Sequence, residues 1–213
     1  MHAFLADPVG NYTPHSMPDP LYLSIWFPSF DETDILPRML SVLHQFPFSP
    51  QNPGVTYLAL HPVSWNEATV LEERFRPGVT PEQAILIASD QIHEDYAYAF
   101  EAFWDLWTPN DNREQWLLKP SLVRLIAHGP EFEDQVYDQA GHVQIDLGLD
   151  SSFLYEELSL TEETETRVRA NIQKLVEFTS KVERNTGMNG RLLWSESEEN
   201  LAQKLIARLQ RVQ

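Results

Sequence analysis

The sequence predicts an α+β fold: a mixed, mostly antiparallel sheet with a ferredoxin-like β-α-β-β-α-β start, extended by further strands and two C-terminal helices. Three observations lead there. Short apolar runs bounded by Pro and Gly mark strands. Longer stretches with three- and four-residue apolar spacing mark helices. Finally, a chain of 213 residues, 42% hydrophobic and 11% aromatic, has the material for one sizeable core and is too aromatic for disorder.

Residues 1–20 read as an irregular arm, and 21–213 as a single domain with a sub-boundary left open near 109–120. "LYLSIWF" (Leu21 to Phe27) is a short apolar strand closed by Pro28. Asp31 or Asp34 can cap the helix "ILPRMLSVLHQF", where Pro37 is tolerable because it falls in the first turn. "NPG" stops that helix. "VTYLALHPVSW" is the second strand and "ATVLEERF" the third, alternating and half-exposed.

"TPEQ" opens the next helix, with Thr80 as N-cap, Pro81 at N1 and Gln83 completing a capping box. Ile85, Ala88, Ile92, Tyr96, Ala99, Phe103 and Leu106 continue at helical spacing, so the expected helix runs from Pro81 to Trp107. At 1.5 Å per residue it is ~40 Å long, against ~23 Å for a strand such as Leu122 to His128. Its aromatic end, with Phe100, Trp104 and Trp107, is thus expected to overhang the sheet. Either the C-terminal helices cover these rings or they form a partner surface or homodimer seam.

"SLVRLIAHGP" is the fourth strand and "GHVQIDLGL" the fifth. A helix from about Thr161 to Asn185 follows, stopped by Gly187, then the short strand "RLLWS". Ser195 with Glu198 forms a second capping box ahead of a last helix on Leu201, Leu205, Leu209 and Val212.

Charge is uneven. Residues 1–160 hold 6 Lys/Arg against 24 Asp/Glu, whereas 161–213 hold 9 against 8. The first part repels phosphate backbones, which argues against nucleic acid, and attracts basic protein surfaces. No apolar run reaches the ~20 residues of a membrane helix, and no basic segment leads into an apolar one at the N-terminus. The expectation is a soluble, cytoplasmic protein.

The absence of cysteine removes disulfides, thiol nucleophiles and Cys-ligated metals. GxGxxG, GxxxxGKS/T, GxSxG and HExxH are all missing, and eight glycines leave little for phosphate-cradling loops, so no cofactor is indicated.

The chemistry-bearing constellation lies on the fourth and fifth strands. Alternation puts Arg124, Ile126 and His128 on one face of one strand, and His142, Gln144 and Asp146 on one face of the other. An antiparallel register then sets Arg124 against Asp146 and His128 against His142. With His61 at the end of the second strand, these residues are candidate ligands for a divalent ion or candidate acid–base groups. The alternative is a solvent face carrying an Arg–Asp pair. The connection "GPEFEDQVYDQA", with Glu131, Glu133 and Asp134, is a candidate acidic docking loop. The leading functional expectation is a non-enzymatic protein-binding module of inhibitor, immunity or accessory-subunit type. The runner-up is a metal-dependent or acid–base hydrolase, and small-ligand binding between sheet and helices is a third reading.

Overall fold

The structure, a computed structural model, describes residues 19–110, 115–154, 161–195 and 201–210. The expected arm lies outside these apart from Asp19 and Pro20. Seven strands form one antiparallel sheet: β1 (Pro20–Trp26), β2 (Val55–Pro62), β3 (Leu71–Arg74), β4 (Tyr96–Pro109), β5 (Trp116–His128), β6 (Val143–Leu149) and β7 (Gly190–Ser195). Their order across the sheet is β3-β2-β4-β5-β6-β1-β7. The helices are α1 (Ile35–Leu43), α2 (Pro81–Ser89), α3 (Tyr137–Ala140), α4 (Ser151–Leu154), α5 (Glu162–Asn185) and α6 (Leu201–Gln210). Among the described residues, no helix is long and apolar enough to cross a membrane.

The α+β class and the antiparallel sheet follow the sequence. The β-α-β-β-α-β order is also present along the chain, from β1 to β4. The pairing is different: β1 sits between β6 and β7 rather than among β2 to β4.

The largest departure concerns the expected helix from Pro81 to Trp107. Its capping box forms, with the Gln83 N–H donating to Thr80 Oγ1 (3.3 Å) and the Thr80 N–H to Gln83 Oε1 (2.9 Å). The helix ends at Ser89, however, and "YAYAFEAFWDLWTP" is strand β4. Tyr98, Phe100, Ala102, Trp104 and Leu106 alternate onto the core face, and aromatic side chains suit a pleated surface. The small alanines between them had blurred period two into a helical spacing.

One main core joins that face to Leu21, Leu23 and Ile25 of β1, to Val143, Ile145 and Leu147 of β6, and to apolar residues of α1, α2, α4, α5 and α6. The hairpin of β4 and β5 pairs from Ala97↔His128 to Pro109↔Trp116, well past the rungs shared with β2 and β6. The region near 109–120 is therefore a hairpin end. Pro120 is tolerated inside β5 because it lies where the strand pairs with β4 only.

The overhang is covered by α5. Lys174 Nζ donates to the Asp105 carbonyl (2.6 Å), and the Arg167 guanidinium lies over the Trp107 ring (5.2 Å). Trp104 is fully buried against Phe46, Phe153 and Phe178. Of the second expected capping box, Ser195 is the last residue of β7, and Glu198 lies outside the described residues.

Candidate functional site on the open face of the sheet

Directly opposed residues of an antiparallel ladder share a face. His61 opposes Ala97, and Ala97 opposes His128. One rung beyond Ala127↔Val143, the His128 N–H donates to the His142 carbonyl (3.0 Å). Three imidazoles therefore stand in one row across the sheet, on the face turned away from the main core. The expected register of β5 against β6 is the observed one.

This row is roofed by the connection after β5. Phe132 is fully buried on Ala97, Ala99 and Ile126, with Val136 beside it, making a second small core. Trp65 packs edge-on to Phe132 (5.1 Å), His61 (4.8 Å) and His128 (6.2 Å). Phe30 stacks flat on His142 at 4.2 Å, and Tyr137 flanks it at 4.9 Å. The roof is tied down through backbone: Gly129 N–H to Tyr96 O (2.8 Å), Glu131 N–H to Glu94 O (2.8 Å) and Glu133 N–H to Val63 O (2.8 Å). A Cβ on Gly129 would lie 2.2 Å from Glu94 O, so only glycine permits this approach. The roof and the residue it is strapped to are strained: Glu133, Asp134 and Gln135 of the roof and Val63 after β2 all have positive φ, at 46°, 51°, 67° and 59°. Each such residue costs on the order of 1 kcal/mol, and such strain clusters at functional sites.

The imidazoles are held in defined states. His128 is buried, and its Nδ1–H donates to the Gly141 carbonyl (2.9 Å), which fixes the neutral tautomer. Loss of water pushes its pKa down to about 4; the Gly141 carbonyl opposes that shift and His142 reinforces it. His142 uses Nδ1 as the acceptor for the Phe27 N–H (3.0 Å). Its pKa is lowered by burial, against the pull of Asp138 and Asp34. The pKa of His61 is lowered by burial and by Arg124, with Glu72 opposing. The buried Nδ1 of His61 has no hydrogen-bond partner.

The remaining candidates do not gather into a reaction centre. Asp146 lies four residues along β6 from His142, ~13 Å away, and its Oδ1 accepts from the Gly148 N–H (2.9 Å). Arg124 stands opposite Asp146, as expected, but reaches to the other side and pairs with Glu101 (2.8 Å). Strand β4 separates His61 from His128. Among the described residues, no three His, Asp or Glu side chains are placed to hold a metal ion. The expected metal set of His61, His128, His142 and Asp146 is thus not brought together as such a group: β4 lies between His61 and His128, and the carboxylate is four residues along β6 from His142. An acid–base role for His128, His142, Asp146 and Arg124 likewise gains no convergent geometry.

The aromatic anchors are corrected as well. Phe100 and Trp104 are fully buried core side chains, and Trp107 is half-buried under Arg167. Glu131 and Asp134 are exposed and Glu133 is partly so, all on the roof.

What the sequence reading did not single out is the company these carboxylates keep. Four connections meet at this end of the sheet: 27–34, 63–70, 90–95 and 129–142. They hold eleven carboxylates (Asp31, Glu32, Asp34, Glu67, Asp90, Glu94, Asp95, Glu131, Glu133, Asp134 and Asp138) and no Lys or Arg. Arg38 reaches back from α1 to Asp34 (3.4 Å) and the Phe27 ring (5.0 Å). Phe132, Trp65 and Phe30 were also missed as the apolar lid; for Phe132 and Trp65 the signal was an aromatic in a loop beside a strand-end histidine, and Phe30 carried no such signal. No protein-family model matches the chain, and no curated protein and no solved structure is significantly similar to it.

Proposed function

We propose that the protein is a non-enzymatic binding module, of inhibitor, immunity or accessory-subunit type, that docks a basic protein surface at the carboxylate-ringed end of its sheet. The observation that carries this reading is the set of eleven carboxylates without a Lys or Arg on the four loops around the histidine row. Such a one-signed rim steers a cationic partner toward it and repels nucleic acid. The roof over the histidine row supports the same reading. Its carboxylates ride on a segment strapped by backbone hydrogen bonds to the start of β4 and to the connections beside β2 and β4, so less freedom is lost on binding.

A deca-arginine peptide tests the reading. It should bind the wild-type protein at about 20 mM salt and lose most of its affinity at about 200 mM. The combined variant Glu131→Gln, Glu133→Gln, Asp134→Asn, Asp138→Asn should bind it about tenfold more weakly. Equal affinity in the two proteins, or indifference to salt, overturns the proposal.

A further inference from the structure

The open face carries a second feature, away from the histidine row. The ladders set Tyr57, Glu101, Arg124, Asp146, Tyr22 and Trp194 in a single cross-sheet row. Its charged middle is unevenly satisfied. Arg124 gives both Nε (3.2 Å) and Nη2 (2.8 Å) to Glu101 Oε1, which leaves Asp146 to the aromatic pair on its other side. Tyr22 and Trp194 are half-buried and lie 4.7 Å apart, tilted by 31°. The indole is fixed in place, because Trp194 Nε1–H donates to Oγ of the fully buried Ser24 (3.0 Å).

Asp146 is aimed by a bulge. Between Pro20↔Leu149 and Tyr22↔Asp146 the register shifts by one residue, and Gly148 takes a φ of 82° there. Such irregularities redirect a neighbouring side chain. Here the turn is closed by the Gly148 N–H on Asp146 Oδ1.

We infer that Tyr22, Trp194 and Asp146 form a seat for one cationic side chain, arginine or lysine, of the basic protein partner. The rings cover each other's inner faces, so the pair offers one ring face for the π-electron attraction, and the carboxylate opposite Tyr22 supplies the counter-charge. The seat rests on the reading of the protein as a binder of basic surfaces and adds a fixed contact to a diffuse field. Arginine fits better than lysine, since its planar group can lie on a ring and still reach the carboxylate. Leu192, 52% exposed and two residues along β7 on the same face, offers apolar surface to the partner's neighbouring side chain.

Amide and indole NMR of the nitrogen-labelled protein tests the seat with two probes. N-acetyl-arginine amide should give saturable shifts at the Trp194 indole N–H and at the Tyr22 and Asp146 amides. The effect should be about fivefold weaker in Asp146→Asn, which keeps an oxygen for the Gly148 N–H. It should weaken similarly in Trp194→Leu. Shifts that never saturate, or that survive Asp146→Asn unchanged, overturn the seat. Deca-arginine separates the two proposals. Shifts confined to 129–142 leave the docking of basic surfaces standing and remove the seat. No shift anywhere at low salt removes both.

Discussion

Asn171 of α5 serves Trp107 as a neighbouring strand would: its Oδ1 accepts from the Trp107 N–H and its Nδ2 donates to the Trp107 carbonyl, each at 2.8 Å. Nδ2 also donates to the Ser152 carbonyl (2.8 Å), so one buried side chain joins β4, α4 and α5. Asn171→Leu leaves three backbone groups without a partner. It should cost about 2–4 kcal/mol in urea unfolding, and hydrogen exchange should quicken first around Trp107. A loss below about 1 kcal/mol would mean that the hairpin end is held by packing alone.

The histidine row predicts acid sensitivity. The folded-state pKa values of His61, His128 and His142 are all lowered, to about 4 for His128. The unfolded chain therefore takes up protons first. The contribution of these groups is fully present above about pH 6.5 and is lost as pH falls toward 4; for His128 alone it amounts to roughly 3 kcal/mol. His128→Gln keeps an N–H for the Gly141 carbonyl and removes the titration. It should flatten stability between pH 6.5 and 4, and in the wild type the 129–142 roof should exchange first.

Glycine positions give a paired test. Gly129→Ala drives a methyl group into the Glu94 and Tyr96 carbonyls, at 2.2 and 2.7 Å. Gly78→Ala meets nothing within 4 Å and suffers only from a φ of 105°. The first should cost about 2–4 kcal/mol and the second about 1 kcal/mol, measured by thermal unfolding.

Val63 holds a left-handed conformation (φ 59°) although branched at Cβ, and it is 54% exposed. Val63→Asn should therefore raise stability by about 1 kcal/mol. No gain would mean that Val63 packs against the roof well enough to offset its backbone.

The residues explain how far the sequence could be read. Alternation along Arg124–His128 and His142–Asp146 fixed which residues share a face, because a slip of one residue would have turned Val143 and Ile145 away from the core. The observed register was one of those that alternation allows, since a slip of two keeps every face. The cap of α2 was legible for a local reason: the Thr80 side chain and the N–H three residues on are chain neighbours. Pro81 to Trp107 failed because Ala97, Ala99 and Ala102 fit either period, and the break at Asp90 carries neither Gly nor Pro. The choice of partner for β1 lay beyond local pattern, since nothing within Leu21–Ile25 distinguishes β6 from β2. The acidic rim was countable, but its convergence needed the strand order.

Strand β1 is flanked on both sides by strands made much later, and Trp194 meets Ser24 across a separation of 170 residues. During synthesis this apolar ribbon must wait, with both hydrogen-bonding edges bare, until nearly the whole sheet has left the ribosome. The central hairpin can zip early from neighbouring sequence, whereas closure of the fold around β1 is a late and slow step. Until those later strands arrive, newborn chains are thus most prone to sticking together through the bare edges of β1.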